Sequence, residues 1–178
     1  MPRLIAFLRA INVGGHIVTM AELRGLFESL SFQEVETFIA SGNVIFASSS
    51  KDVGALQKKI EDQLLRSLGY EVKTFLRTIP EVAAIAQYKP FNESQLGSAA
   101  ALNVAFLADS VSAEAEKALV ALKTEIDDFH VQGREVYWLC KTKQSGSKFS
   151  YARFEKVLNV RATWRNINTV VRLAAKYA

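Results

Sequence analysis

The chain has 178 residues, of which 49% are hydrophobic and 22% are charged, and its formal net charge is +4. This composition is typical of a soluble globular protein with one large or two small domains, and no apolar run approaches the roughly 20 residues that cross a bilayer, so we expect a cytoplasmic protein with no membrane partner. The single cysteine excludes an internal disulfide, and with only two histidines beside it no zinc site is plausible, so neither a metal nor a cofactor is expected.

The first half of the sequence reads as β-α-β-β-α-β. Thr19-x-x-Glu22 is a capping box that begins the first helix, and Ser41-Gly42-Asn43 is interpreted as the turn of a hairpin. Hydrophobic periodicity predicts, in chain order, a strand at 3–9 that is apolar on both faces, a helix at 20–30, strands at 34–39 and 44–46, a helix at 53–68 and a strand at 70–76.

A short helix at 78–86 and a polar connection at 89–98 precede a second run of the same order. The predicted elements of this run are a strand at 102–107, a helix at 112–122, strands at 129–132 and 135–140, a polar loop at 141–147, a helix at 148–158, a strand at 160–164 and a last helix capped by Asn166 or Asn168. The sequence therefore predicts an α+β protein of two tandem ferredoxin-like (α/β-plait, βαββαβ) units, residues 1–88 and 89–178, with an extra C-terminal helix.

Two polar loops of the first unit are expected to meet. A right-handed β-α-β connection makes the first two strands parallel, so the loop after the first strand lies at the same end of the sheet as the turn after the second. That loop also precedes a helix N-terminus, where free N–H groups favour an anion. The candidate binding residues here are Asn12, Gly14, Gly15, His16, Ser41, Gly42 and Asn43.

A purely structural interpretation accounts for almost all of these residues, because the glycines turn a strand into a helix and the polar turn closes a hairpin. His16 is the exception, and it is a candidate acid-base group or anion contact.

The same argument predicts a second rim in the second unit. The loop at 141–148 leads into a helix, and the strand after that helix ends near the loop. Its candidate residues are Lys143, Ser145, Ser147, Lys148, Arg165, Asn166 and Asn168. Cations beside a helix N-terminus would suit a phosphate or a carboxylate, and the alternative is a solvated basic loop with an asparagine cap.

Several of these residues lie in motifs that resemble a bacterial family known as domain of unknown function 1697. The segment Leu8-Arg9-Ala10-Ile11-Asn12-Val13-Gly14-Gly15 resembles its LRGINVGG opening, with Ala10 where Gly is common. Further similarity lies in Ser41-Gly42-Asn43-Val44-x-Phe46, Ser147-Lys148, Arg165-Asn166 and Thr169-Val170. The resemblance implies two α/β-plait units in tandem and no established activity, and its motifs add Arg9 to the first candidate set and Thr169 to the second.

Three functional hypotheses follow, and whether the protein is an enzyme is left open. The first is binding of a small phosphate-bearing or nucleotide-like molecule at the glycine loop. The second is nucleic-acid binding by the basic C-terminal third, because residues 129–178 carry ten Lys and Arg against two acids. It is the less favoured one, since the strands of the first unit are predicted to be buried on both faces. The third is a structural or interaction protein.

Overall fold

The computed structural model describes residues 1–12, 14–143 and 146–178, with the backbone alone at 40 and 41. Within these residues the chain is an α+β protein with two four-stranded antiparallel sheets and seven helices. It forms two compact units, one of Met1–Ile85 with Arg172–Ala178 and one of Ala86–Val171. The sequence placed the boundary between residues 88 and 89 and assigned the whole C-terminal helix to the second unit, whereas the last seven residues of the chain belong to the first.

The first unit has the element order predicted from the sequence. Its sheet has the strand order β2-β3-β1-β4, with every neighbouring pair antiparallel. Its elements are β1 (Arg3–Leu8), α1 (Met20–Glu28), β2 (Gln33–Phe38), β3 (Ala40–Ala47), α2 (Val53–Leu68) and β4 (Thr74–Thr78), after which α3 (Ile79–Gln87) follows.

The core of this unit lies between the sheet and its two helices. Leu4 and Leu8 of β1 pack in one cluster with Phe27 of α1 and Ile60 of α2. The alternate residues of β1 are equally buried, since Phe7 has no exposed surface. The prediction that the first strand is buried on both faces is therefore confirmed, and neither face of β1 is left open to solvent.

The hairpin between β2 and β3 corrects a prediction. Ser41-Gly42-Asn43 is not a turn but lies within β3, and the chain reverses at Ile39, whose φ is +71°. Asn43 pairs with Phe7 of β1, while the register between β2 and β3 shifts after Thr37. The polar triplet is thus a bulge in the pairing of β3 with β2. The chain reverses instead at Ile39, a β-branched residue that rarely adopts the left-handed conformation, so turn propensities do not predict this reversal.

The second unit repeats the order of elements. Its sheet has the strand order β6-β7-β5-β8, again antiparallel throughout. Its elements are α4 (Glu93–Ser98), β5 (Ala101–Phe106), α5 (Ala113–Val120), β6 (Asp127–Gln132), β7 (Glu135–Cys140), α6 (Tyr151–Leu158) and β8 (Thr163–Asn166). Helix α7 (Ile167–Tyr177) begins in this unit, and its residues from Arg172 onward belong to the first unit.

Helix α4 falls in the stretch that was predicted to be a polar connection. The Asn92 side chain accepts from the Gln95 N–H and the Gln95 side chain accepts from the Asn92 N–H, so the two residues form a capping box. The signal was present in the sequence as Asn92-x-x-Gln95. It was overlooked because the six residues that follow the cap carry almost no apolar periodicity.

Three predicted boundaries also move along the chain. The strands expected at 70–76 and 160–164 are β4 and β8, each displaced toward the C-terminus, and the helix expected from residue 148 is α6, which begins after its N-cap Ser150. Each of these segments begins among polar or irregular residues, and the spacing of apolar residues alone does not fix the first residue of an element there.

The core of the second unit is aromatic. Trp138 of β7 and Phe154 of α6 are buried together with Phe149, and Trp164 of β8 packs against them. On the other face of β5, Val104 has no exposed surface. Among the helices of the described residues, none combines the length and the hydropathy needed to span a bilayer.

Candidate functional site

The first candidate site lies at one edge of the sheet of the first unit. Strands β1 and β2 both end there and β3 begins there, because β3 is antiparallel to each of them. The pairing of Phe7 with Asn43 places the loop after β1 beside Gly42 and Asn43. We call this region, residues 9–12, 14–19, 42 and 43, the glycine-loop edge.

Three residues of the glycine-loop edge have left-handed backbone. The φ angles are +56° at Ala10, +70° at Gly14 and +83° at Gly15. A Cβ built on either glycine meets no atom within 4 Å, and both glycines are exposed. The glycines are therefore required by backbone conformation and not by close packing, and they leave the loop backbone open to an approaching molecule. Val13 lies outside the described residues.

Tyr70 anchors this loop from the far end of α2. Its hydroxyl donates to the Ile11 carbonyl at 2.7 Å, and its ring stacks on the exposed His16 ring with centroids 3.8 Å apart and planes at 22°. Burial raises the pKa of Tyr70, so the phenol stays protonated as a donor. Sequence reasoning missed Tyr70, since nothing at residue 70 indicates a partner 59 positions earlier in the chain.

Side chains near the start of α1 accept hydrogen bonds from several backbone N–H groups there. The Asn12 Oδ1 accepts from the Val18 N–H at 2.7 Å, and the predicted capping box is present, with Thr19 and Glu22 bonded at 2.8 and 3.1 Å. Within the described part of the chain, the first-turn amides of Met20 and Ala21 are the donors left for a ligand.

The remaining residues of this edge have mixed exposure. Asn43 is 2% exposed and its Nδ2 donates to the Phe38 carbonyl at 3.1 Å, so its side chain holds the bulge of β3. Arg9 is half-buried, and its backbone N–H extends the β1 ladder to the Lys73 carbonyl at 2.9 Å. Arg9 brings a positive charge to the edge, whereas the side chain of Ser41 lies outside the described part of the structure.

In the second predicted rim, Ser147 has its partner on β6. Ser147 donates to the buried Asp127 carboxylate at 2.6 Å, and the indole of Trp138 donates to the same carboxylate at 2.8 Å. Asp127 is on β6, which is separated from β8 by two strands. Ser147 is therefore bonded to a different strand from the one that carries Arg165 and Asn166, while Phe149 and Tyr151 of the same segment contact the Trp164 ring on β8.

The β8 residues of that rim have structural partners. Arg165 donates to the Thr163 hydroxyl and to the Trp164 carbonyl, both at 2.8 Å. Burial lowers its pKa to about 10, against a smaller opposing effect of Tyr151, so the guanidinium remains charged at neutral pH.

The other members of the second rim are more exposed. Asn166 accepts from the Asn168 backbone N–H at 2.9 Å and so caps α7. Lys148 is exposed, and Thr169 is half-buried in the first turn of α7. The prediction for Ser145 lies outside the described residues. Among the residues that are described, no group of three His, Cys, Asp or Glu is placed to hold a metal ion.

Comparisons with known proteins agree with this architecture. Residues 1–137 match a family model described as "Protein of unknown function (DUF1697)". A solved structure, that of the conserved bacterial protein SP0830 from Streptococcus pneumoniae, is similar to this chain with 25% sequence identity and a TM-score of 0.75, over 98% of this chain and 97% of that chain. A comparison with curated proteins gave no match.

Proposed function

We propose a function for this chain, which belongs to the DUF1697 family of proteins of unknown function. The protein binds a small phosphate-bearing molecule at the glycine-loop edge of its first unit. The observation that carries the proposal is the open backbone at Gly14 and Gly15, both exposed and left-handed, between the half-buried Arg9 and the first turn of α1. Exposed amides, a cation and a helix N-terminus are the groups that bind phosphate oxygens in proteins.

We infer that each unit is a ferredoxin-like plait. The order β-α-β-β-α-β and the sheet orders β2-β3-β1-β4 and β6-β7-β5-β8 support this assignment. In such a sheet the crossover connections bring separate loops to the same strand ends, which is why the glycine-loop edge forms at all.

The partners at the start of α1 indicate where the anion would sit. The Glu22 carboxylate already accepts from the Thr19 N–H, so negative charge is present at the helix start. A phosphate is therefore expected nearer to Gly15 and His16 than to the helix axis. The His16 ring, exposed and stacked on Tyr70, offers a donor or a stacking surface at that position.

Burial within the sheets favours this proposal over nucleic-acid binding. An RNA-binding plait uses an exposed sheet face with aromatic residues, but Phe7 on β1 and Phe106 on β5 are 0% exposed. The basic C-terminal third remains a candidate for weak polyanion contact, which would appear as a gel shift that falls steeply with salt.

A thermal-shift panel of nucleoside monophosphates and sugar phosphates, at matched ionic strength, tests the proposal. A ligand at 100 times its Kd adds about 2.7 kcal/mol to the stability of the folded state, so at least one compound should raise the Tm. Arg9→Gln and His16→Ala should each remove most of that rise. Arg66→Gln, an exposed arginine on α2, is the matched control and should retain it.

The proposal fails if no phosphate compound raises the Tm, or if the rise survives in the Arg9→Gln and His16→Ala double variant. If His16→Ala alone unfolds the unliganded chain, the loop is structural and the interaction-protein hypothesis gains. Asn12→Ala is a poorer probe, because the Asn12 side chain holds the Val18 amide and its loss alters the loop itself.

A further inference from the structure

The second unit contains a cavity of about 320 Å³. It lies where β5 and α7 begin, and residues 86, 88–90 and 99–102 contribute to its wall. This volume is at the lower end of the range of small-molecule sites, which is roughly 300–1,000 Å³. The cavity belongs to residues 86–171, so it is separate from the glycine-loop edge.

One part of the cavity wall is aliphatic. Leu102 and Leu139 come from the neighbouring strands β5 and β7, and Leu96 comes from α4. Ile167 and Val171 add one side of α7. This wall favours a ligand with an apolar body, because burial of apolar surface is the main source of affinity in small pockets.

The polar groups of the cavity have positive character. Lys89 is an exposed lining residue, and within the part of the chain that the structure describes it has no ion pair. Asn166 and Asn168 also line the cavity, and none of the lining residues is Asp or Glu. One cation with amide donors and without a carboxylate selects a ligand that carries one negative charge.

The side chain of Tyr88, which lines the cavity, is held in place by two contacts. Its hydroxyl is 2.8 Å from the Nε2 of His130, and its ring centroid is 5.6 Å from that of the buried Tyr137. A lining side chain held by a hydrogen bond and a ring contact loses little rotamer freedom when a ligand binds, so the cavity is preorganised on this side.

We propose that this cavity binds a small monocarboxylic acid with an aliphatic body. The carboxylate would meet Lys89 and the amide groups of Asn166 and Asn168, and the aliphatic body would lie against the leucines. Binding here does not depend on the phosphate site proposed for the first unit, since the two sites share no residue.

Three probes of similar size and different charge test this inference on the full-length ¹⁵N-labelled protein. Hexanoate should shift amide resonances of residues 86–102 and 166–171, with a Kd of about a millimolar, which is reasonable for so small a ligand. Hexanol should bind more weakly, and hexylamine should give no comparable shifts. Equal shifts with hexylamine, or hexanoate shifts spread over the whole chain, would overturn the proposal.

Two lysine variants locate the charge. Lys89→Met should weaken hexanoate binding about two- to fivefold, as expected for one exposed ion pair, and should leave hexanol binding unchanged. Lys156→Met, at an exposed position on α6, removes the same charge away from the cavity and should have no effect. Unaltered hexanoate affinity in Lys89→Met would contradict the assigned role of Lys89.

Discussion

Ala10 has a left-handed backbone at the point where the chain leaves β1, with a φ of +56°. For an L-residue with a Cβ this conformation is unfavourable by about 1–2 kcal/mol. A glycine would adopt this backbone conformation without the steric cost of a Cβ. The backbone at Ala10 is therefore strained in this chain.

Ala10→Gly should raise the free energy of unfolding by about 0.5–1 kcal/mol, because relief of the strained φ exceeds the added entropy of glycine in the unfolded chain. Urea denaturation measures it. Ala84→Gly, at an exposed position within α3, is the matched control and should lower stability by about 1 kcal/mol. Destabilisation by Ala10→Gly would mean that residue 10 is not left-handed in solution.

Tyr70→Phe removes only the hydroxyl that donates to the Ile11 carbonyl and keeps the ring against His16. The loss of one hydrogen bond should lower the free energy of unfolding by about 0.5–1.5 kcal/mol, and it should weaken the ligand-induced thermal shift because the loop is less well ordered. Urea denaturation and the same thermal-shift assay measure the two effects. An unchanged stability and an unchanged shift would show that Tyr70 does not anchor the loop.

At the scale of elements, helix α7 ends against β2 of the first unit. The Tyr177 hydroxyl donates to Glu36 Oε2 at 2.9 Å, and Lys176 and Arg3 form ion pairs with the same carboxylate at 3.5 and 3.1 Å. Burial opposes ionisation of Glu36, but the Tyr177 hydrogen bond and the two cations outweigh it, so its pKa lies below the ordinary value of 4.5. These contacts tie the last residues of the chain to the first unit.

Because the pKa of Glu36 is lowered by folding, its contribution to stability is present above the ordinary pKa and is lost as pH falls through the lowered pKa. Glu36→Gln should lower the free energy of unfolding by about 1 kcal/mol at pH 7, and the difference from the wild type should shrink below about pH 4. Urea titrations at several pH values measure it. Glu125→Gln, an exposed acid, should show neither effect, and a difference that stays constant as the pH falls below the ordinary pKa of 4.5 would contradict this account.

The elements themselves follow largely from local pattern. Apart from the short helix α4, the order of strands and helices in both units was predictable, because buried strands and amphipathic helices leave clear periodicities. The reversal at Ile39 was not predictable, because Ser41-Gly42-Asn43 has better turn chemistry than the residue that actually turns. The bulge depends on pairing with β1, which is distant in sequence.

At the scale of the whole molecule, the central strands β1 and β5 are buried on both faces, as Phe7 and Val104 show, and the proposed phosphate site lies at strand ends. The meeting of the 9–16 loop with residues 42 and 43 was predictable from crossover handedness alone. The anchor Tyr70 was not predictable, and neither was the bond between Ser147 and Asp127. Both are tertiary contacts between segments whose local sequences carry no sign of each other, and the cavity at Lys89 combines four such segments.

The most direct test of the proposed function is a titration of the ¹⁵N-labelled full-length protein with adenosine monophosphate. The account predicts amide shifts confined to the glycine-loop edge and the first turn of α1, including Gly14, Gly15 and Met20, and their loss in Arg9→Gln. Shifts that appear only in residues 86–171, or no shifts at millimolar ligand, would contradict it.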